Sequence, residues 1–503
     1  MIRIGPINNS VAAVLEQITI GIVFFLNYGI LVRVVGTEQV GIFSLVLVIA
    51  SLGSITSTGF ASAISHFLPV FASQGDRPRV ALSIETTVIC TLLLYTVTFA
   101  VAYFPVGALI EGQIGAAEAP AARRLLPVVV VYAITLGVGG ALGLALTALQ
   151  RLDLRFYAAL AGGIVGIAVT AFAAPRYGVI GGAYAFAAQG SVTLALAWVL
   201  LRRLVPELPI IPLRLDRPMA RRMAGLGMNM QAQSMLFVGL EPLTRLLIGH
   251  FGSLTDVTIF AMASRFVLQL RALIFAPAQP LIAWLTAIRS RGDHSALARL
   301  YGGAHFTIVL ATVAMMSALL GAAPFVGEVW IGAYTPQFTL FAGILAAGWL
   351  VNTISLGPYF NAYSLGKMSV SLVAHVAMFL ANIAFGLVLS PLLDGTGAVV
   401  AMALALALSG IIMLVGNARH VPETAKRPHR LTIGVFALAC LAGAACAACA
   451  YLPIRSATVP IVGGIGSGIV WLVWIVAAGI LLPRVRVPAR AFLESMRRRA
   501  ARR

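Results

Sequence analysis

Long apolar runs are the feature of this sequence that most restricts its fold. Fourteen such runs follow one another along the 503-residue chain. A helix needs about 20 apolar residues to cross the hydrocarbon core of a bilayer, and within lipid it satisfies its own backbone hydrogen bonds. We therefore predict an all-α polytopic membrane protein with about 14 transmembrane helices. The predicted spans are 10–34, 39–68, 80–104, 123–149, 154–174, 178–201, 223–250, 256–288, 300–322, 336–363, 368–391, 396–416, 431–453 and 459–483.

The distribution of basic residues tests this count. The chain has a net charge of +19, which in a soluble protein would suggest nucleic-acid binding. With both termini in the cytoplasm, 27 of the 35 Lys and Arg residues fall in cytoplasmic segments and five in outer loops and helix ends. This asymmetry is what the positive-inside rule expects. The charge therefore indicates a multi-pass protein with cytoplasmic termini and no nucleic-acid partner.

The four cysteines all lie in apolar runs. Cys446 and Cys449 form a C-x-x-C pair within GAACAACA, where small residues let helices pack closely. A reactive thiol instead needs an electropositive, accessible site. We interpret the pair as a packing element. No cluster in the sequence has metal-ligand spacing, so we predict no metal site and no cofactor.

Weak internal similarity divides the chain into two halves. When VGTEQVGIFSL is aligned with FGSLTDVTIFAM, Val40 aligns with Val257, an offset of 217 residues. In GVIGGA and DGTGAV, Gly181 falls on Gly397 at an offset of 216. Parallel repeats of this kind place a substrate site between them, and the arginine- and proline-rich segment 202–222 is the expected hinge. We predict an N-terminal half (1–210, helices 1–6), a C-terminal half (211–425, helices 7–12) and a segment 426–503 with helices 13–14 and a basic cytoplasmic tail.

Two stretches resemble a known family. LVRVVGTEQVGIFSLVLVIASLGSITSTGFASAISHFLP, residues 31–69, resembles helices 1–2 of bacterial polysaccharide (O-antigen type) flippases, where a G-x-x-x-x-G turn, here Gly36 to Gly41, leads into a helix with a small-residue and glycine run. PRYGVIGGAYAFA, from Pro175, resembles the family's second signature, between helices 5 and 6. The predicted arrangement has two six-helix halves followed by two further helices. It resembles that of the lipid-linked-oligosaccharide branch of the multidrug/oligosaccharidyl-lipid/polysaccharide exporter superfamily.

This resemblance implies a transporter and not an enzyme. Members of the family move undecaprenyl-diphosphate-linked sugars, the repeat units of O-antigen and exopolysaccharide, across the bacterial inner membrane. The implied partners are the lipid-linked oligosaccharide, membrane lipids and the polysaccharide polymerase machinery. We expect alternating access, in which the two halves rock about a central cleft.

Arginines inside predicted helix 8 identify the candidate substrate site. An arginine near the bilayer centre costs about 2.5–3.5 kcal/mol even on the lenient insertion scale, yet ASRFVLQLRALIF carries Arg265 and Arg271. A guanidinium matches phosphate oxygens bidentately. The two arginines are six positions apart in the helix, so they differ by about 120° in azimuth and flank one cleft without forming a stripe. Arg271 is the residue most expected to contact substrate, and the predicted substrate-binding set is Arg271, Arg265, Arg245, Arg33, Gln269 and Asn27.

Two carboxylates are candidates for a coupling ion. Glu16 lies about one turn inside predicted helix 1, and Glu241 lies in helix 7. Glu241 is spaced i,i+4 from Arg245, so the alternative is that the two neutralise each other. Arg33 has an alternative too, since a side chain near a helix end snorkels to the headgroups. No catalytic residue is predicted.

Three other functions remain open. A cation-coupled multidrug or toxin exporter of the same superfamily would need a carboxylate deep in the membrane to bind the coupling ion. The charged residues deep in the predicted helices of this chain are mainly basic. A peptidoglycan lipid-precursor flippase shares the fourteen-helix plan and differs in the sugar it carries. A membrane-bound polysaccharide-synthesis enzyme usually has a sizeable loop domain, whereas the longest outer loop here has about 18 residues.

Overall fold

The computed structural model describes residues 9–112, 114, 118–278, 281–289, 294–365 and 369–420. This part of the chain folds into thirteen α-helices and contains no strand, which confirms the predicted fold class. Predicted helices 13 and 14 and the basic tail lie outside the described residues. The helices are α1 Asn9–Val35, α2 Thr37–Ser73, α3 Arg77–Glu111, α4 Ala119–Ala148, α5 Leu152–Tyr177, α6 Val179–Leu204, α7 Arg217–Phe251, α8 Leu254–Ala278, α9 Leu281–Arg289, α10 His294–Ile331, α11 Pro336–Ile354, α12 Leu356–Ser364 and α13 Ser369–His420.

The lengths and apolar composition of these helices make the protein a multi-pass membrane protein. Within the described ranges, nine helical segments are long and apolar enough to cross a bilayer. They include most of α1, all of α3 to α6, most of α8, all of α10, α11 with α12, and nearly all of α13. A kink at Leu393 and Asp394 divides α13 into two arms.

The first twelve predicted spans correspond to these helices, with two differences. Predicted span 8 contains both α8 and α9, and residues 279–280 between these two helices lie outside the described residues. Predicted span 10 contains both α11 and α12, which meet at Ser355. Pro358 lies in the first turn of α12 and has no N–H to continue the hydrogen bonds of α11. This proline therefore explains why the apolar run of predicted span 10 forms two helices.

The same tight turn occurs twice, at positions that the internal repeat pairs. Gly178, with φ 61° and ψ −140°, joins α5 to α6. Asp394, with φ 52° and ψ −142°, joins the two arms of α13. Beyond each turn a glycine packs against the preceding helix: a Cβ on Gly181 would overlap the carbonyl oxygen of Ala173, and a Cβ on Gly397 would overlap that of Leu389. This repeated helix–turn–helix unit supports the proposal of two homologous halves.

The starts of α2 and α8, which the repeat also pairs, touch each other. The hydroxyls of Thr37 and Thr255 lie 3.3 Å apart. Thr258 Oγ1 donates to the carbonyl oxygen of Thr37 at 2.6 Å. A Cβ on Gly41 would overlap the carbonyl oxygen of Leu254. Two glycine- and threonine-rich helix starts therefore pack backbone against backbone.

The described helices form two compact units. The first contains α1 to α7, α8 as far as Ala276, and Ser371–Ala405 of α13. Within it, α1 packs on α5, α2 on α3, α4 and α7, and α4 on α6. The second contains the described residues from Pro277 to Val370 and those of α13 from Leu406 onward, with α10 packed on α11. All eight residues of the predicted site lie in the first unit.

Candidate functional site

Helix α8 presents its polar residues Arg265 and Gln269 to α1. Arg265 is exposed, and its guanidinium lies over the ring of Phe24, 4.7 Å from the centroid. One turn further on, Gln269 Nε2 donates to the carbonyl oxygen of Gln17. The absence of a side chain at Gly21 makes room for this contact, because a Cβ there would lie 2.8 Å from Gln269 Cδ. The i,i+4 spacing of the two α8 residues therefore places a cation and an amide along one face of α1.

Arg271 contacts different neighbours. It is half-buried, and its guanidinium lies 5.5 Å from the ring centroid of Phe237 on α7 and 5.3 Å from that of Phe275. The ring of His375 packs edge-on against Phe237, with centroids 6.1 Å apart. The difference in azimuth between the two arginines thus directs Arg265 towards α1 and Arg271 towards α7. They do not form one stripe.

Glu241 and Arg245 form an ion pair within α7. Arg245 Nη2 donates to Glu241 Oε1 at 2.5 Å, and Nη1 donates to the carbonyl oxygen of Ser44 at 3.3 Å. The hydroxyl of Ser44 lies 3.3 Å from that of Tyr28. This geometry favours mutual neutralisation as the role of the pair. It also places Arg245 beside Tyr28, whose ring stacks on Phe24, the aromatic partner of Arg265.

Asn27 and Arg33 occupy different environments on α1. Asn27 is 1% exposed, and its Oδ1 accepts a hydrogen bond of 2.6 Å from Thr170 Oγ1 on α5. Its amide nitrogen has no hydrogen-bond partner among the described residues. Asn27 therefore ties α1 to α5 in the interior. Arg33 is exposed in the last turn of α1, a position from which it can snorkel.

Glu16 lines a cavity of about 220 Å³ among α1, α4, α5 and α6. Arg155 Nε donates to Glu16 Oε1 at 2.8 Å, and Arg155 Nη1 donates to Thr147 Oγ1 at 3.1 Å. The cavity exists because α4 and α6 have glycines where they face it. The lining also includes Thr19, Tyr132, Thr135, Gly139, Gly140, Gly143, Gln189, Gly190 and Thr193.

Arg155 and Gln189 are the cavity residues that the sequence reasoning missed. Arg155 is one of the basic residues counted on the cytoplasmic side, and in the structure it forms an ion pair with a carboxylate 139 residues away. No local pattern reveals such a partner. Gln189 and Thr193 carried a usable signal, since two polar residues one turn apart within an apolar run mark a polar helix face.

We expect Glu16 and Arg155 to be energetically coupled. Glu16→Gln and Arg155→Gln, made singly and together, should lower thermal stability non-additively, with a coupling free energy of about 0.5–3 kcal/mol. A value near the lower end is expected because the Arg155 side chain is 32% exposed and solvent screens the pair. Thermal unfolding of the four proteins in one detergent measures the coupling. Additive losses would contradict the ion pair.

The described residues give no sign of a metal centre. Within the described ranges no group of three or more His, Cys, Asp or Glu side chains is placed to hold a metal ion. Cys90 is a free thiol, and Cys440, Cys446 and Cys449 lie outside the described residues.

The fold is similar to that of several solved transporter structures. Against the lipid II flippase MurJ in an inward closed conformation the TM-score is 0.70 at 13% identity, covering 95% of this chain and 100% of that one. Against an inward-facing multidrug resistance MATE family transporter of the MOP superfamily it is 0.68 at 14% identity, covering 84% and 100%. Against a MOP superfamily transporter from Pyrococcus furiosus, described as having a binding pocket of reverse polarity, it is 0.57 at 13% identity, covering 84% and 96%.

No family model and no curated protein matches the sequence. The comparisons therefore show the fold of MOP superfamily transporters and flippases.

Proposed function

We propose that the protein flips an undecaprenyl-diphosphate-linked oligosaccharide, a polysaccharide repeat unit, across the bacterial inner membrane. The observation that carries the proposal is the exposed guanidinium of Arg265 on a membrane helix. Arg245 and Arg271 lie on the same two helices, α7 and α8, and Arg245 shares its charge with Glu241. An excess of cationic groups suits a cargo with a diphosphate head.

The proposed mechanism is alternating access, which the fold and the internal repeat support. Both termini lie in the cytoplasm in this proposal, and the two halves rock about the cleft. A diphosphate that moves outward down an interior-negative potential gains about 2.3 kcal/mol per charge per 100 mV. Two charges gain roughly twice that value, so a coupling ion can assist export without being required. Membrane lipids surround the protein, and the polymerase machinery receives its product.

The second candidate is a cation-coupled multidrug exporter, for which a carboxylate in a cavity, as Glu16 is, would be the ion site. A carboxylate that carries an ion must release its protein partner during the cycle. Glu16 is paired with Arg155 and Glu241 with Arg245, so neither presents an isolated negative charge to a cation. The structural similarity to a lipid II flippase across 95% of the chain supports a lipid-linked cargo, and a peptidoglycan lipid precursor is the alternative cargo.

Reconstitution tests the proposed function. Purified protein in liposomes should move a lipid-linked glycan between leaflets, measured by its accessibility to an external glycan-modifying enzyme, and mass spectrometry should find the glycan otherwise unaltered. Liposomes containing Arg265→Ala provide the control. Export of a cationic dye driven by a proton or sodium gradient, without movement of the glycan, would favour the multidrug exporter. A covalent change made by the protein itself would indicate an enzyme.

A further inference from the structure

The segment that joins α6 to α7, residues 205–216, exposes a row of aliphatic side chains. Leu213 is 79% exposed, Ile210 73%, Ile211 63% and Leu215 42%. We call these four residues the linker surface. Exposed aliphatic residues on a spanning helix face lipid tails, but this segment is not a spanning helix. Contiguous apolar side chains left in water are unfavourable and mark an interaction site.

The linker surface is held in place by its backbone. Val205 and Leu208 are buried in the core of the first unit. Trp198 Nε1 donates to the carbonyl oxygen of Ile210 at 2.9 Å. These contacts fix the first half of the segment, so its aliphatic side chains point outward from an anchored backbone.

A buried carboxylate fixes the second half. Glu85, on α3, has a fully buried side chain. It accepts hydrogen bonds from the backbone N–H groups of Leu213 at 3.3 Å and Arg214 at 3.2 Å, and from Arg214 Nε at 2.8 Å. Thr86 Oγ1 accepts from the N–H of Asp216 at 3.1 Å. Backbone N–H groups of this segment thus have hydrogen-bond acceptors in the protein, whereas its apolar side chains are exposed.

Exposed cations surround the linker surface. The two acidic residues of the segment are engaged locally: Glu207 lies 3.9 Å from Arg77, and Asp216 caps α7 by accepting from the N–H of Met219. Aliphatic side chains bordered by arginines are the combination that binds the interface of an anionic leaflet, through apolar burial and attraction to headgroups. Arg214 is already paired with Glu85, and the other exposed arginines are Arg203, Arg217, Arg221 and Arg222.

We propose that residues 205–216 form a membrane-surface anchor. The linker surface enters the headgroup region of the leaflet next to the ends of α6 and α7, and the flanking arginines bind anionic phospholipid headgroups. This inference does not rest on the proposed cargo, because it concerns the lipid around the protein. It gives the segment between the two halves a fixed attachment to the membrane plane.

Fluorescence on the full-length protein tests the anchor. Cys90, Cys440, Cys446 and Cys449 are replaced by serine, and an environment-sensitive fluorophore is attached at Ile211→Cys. The polar loop position Gln74→Cys is the matched control, since Gln74 is exposed between α2 and α3. Both proteins are placed in vesicles of phosphatidylcholine alone or mixed with phosphatidylglycerol.

Insertion predicts a blue-shifted emission at position 211, loss of quenching by aqueous iodide, and strong quenching by lipids with a nitroxide near the headgroup. These changes should be larger in phosphatidylglycerol vesicles than in phosphatidylcholine, and smaller at position 74. The combined variant Arg217→Gln, Arg221→Gln, Arg222→Gln should lose the difference between the two lipids.

Three results would overturn the anchor. A label at position 211 that iodide quenches fully in phosphatidylglycerol vesicles would show that the linker surface faces water. Protection from iodide without nitroxide quenching would show that protein, including a second copy of this chain, covers it. Equal insertion in both lipids, unaffected by removing the three arginines, would contradict binding of anionic headgroups.

Discussion

Arg265→Ala should lower transport of the lipid-linked glycan roughly tenfold or more while leaving the protein folded. The guanidinium is exposed and its described contact is with the ring of Phe24, an interaction worth about 0.5–1 kcal/mol at an exposed site. A lost hydrogen bond to a charged group costs about 1.5–3 kcal/mol, roughly a 10- to 100-fold loss of affinity for a diphosphate. Arg265→Lys should restore part of the activity, because lysine keeps the charge and loses the planar fork.

Abundance and transport must be measured in the same liposomes. Arg176→Ala is the matched control: Arg176 is an exposed arginine whose guanidinium lies 3.8 Å from the ring centroid of Phe172, and it lies at the end of α5. It should transport at the normal rate. Arg271→Ala should reduce both transport and thermal stability, because this half-buried side chain packs between Phe237 and Phe275. Normal transport by Arg265→Ala would show that Arg265 does not contact the transported glycan lipid.

Gly181→Ala and Gly397→Ala should each destabilise the protein severely. In both cases the new methyl group would overlap a backbone carbonyl of the preceding helix, at Ala173 or Leu389. A backbone cannot rotate away as a side chain can, so the two helices must separate. Overpacking of this kind costs about 1–3 kcal/mol and sometimes more. Because the repeat pairs the two positions, the two variants should lose a similar amount of stability.

A glycine with free space around it provides the comparison. A Cβ on Gly140, within α4, would meet nothing within 4 Å. Alanine favours a helix interior over glycine by about 0.5–1 kcal/mol, so Gly140→Ala should unfold at the same or a higher temperature. Thermal unfolding in detergent, together with the yield of monodisperse protein, measures all three variants. Equal stability of the three would show that the helix contacts at Gly181 and Gly397 are looser than described.

The sequence predicted the helices well because hydropathy is a local property. Twelve predicted spans correspond to described helices, and the offset between GVIGGA and DGTGAV located two turns with nearly the same dihedral angles. The break between α11 and α12 at Ser355 was not predicted, because one proline hardly changes the mean hydropathy of a long apolar segment. Pro358 was visible in the sequence and, given more weight, would have indicated it.

The partners of the charged residues could not be predicted in the same way. The pair of Glu241 and Arg245 was anticipated, since i,i+4 spacing on one helix is local. Glu16 pairs with Arg155, 139 residues away, and Glu85 holds the linker 128 to 129 residues further on. Which carboxylate meets which arginine depends on how helices pack, and the sequence of one chain contains no direct record of that packing.

In the proposed alternating-access cycle, the contact between the starts of α2 and α8 would favour a state that is closed on the outer side. In the proposed topology these helix starts face the outside, so the hydroxyl contacts of Thr37 with Thr255 and Thr258 must break once in every transport cycle. Two neutral hydrogen bonds contribute about 1–3 kcal/mol together. A bias of that size keeps the minor, outward-open state at roughly 1–15% of the population. In the proposed cycle, the outer side would therefore be closed most of the time and would still open by thermal motion.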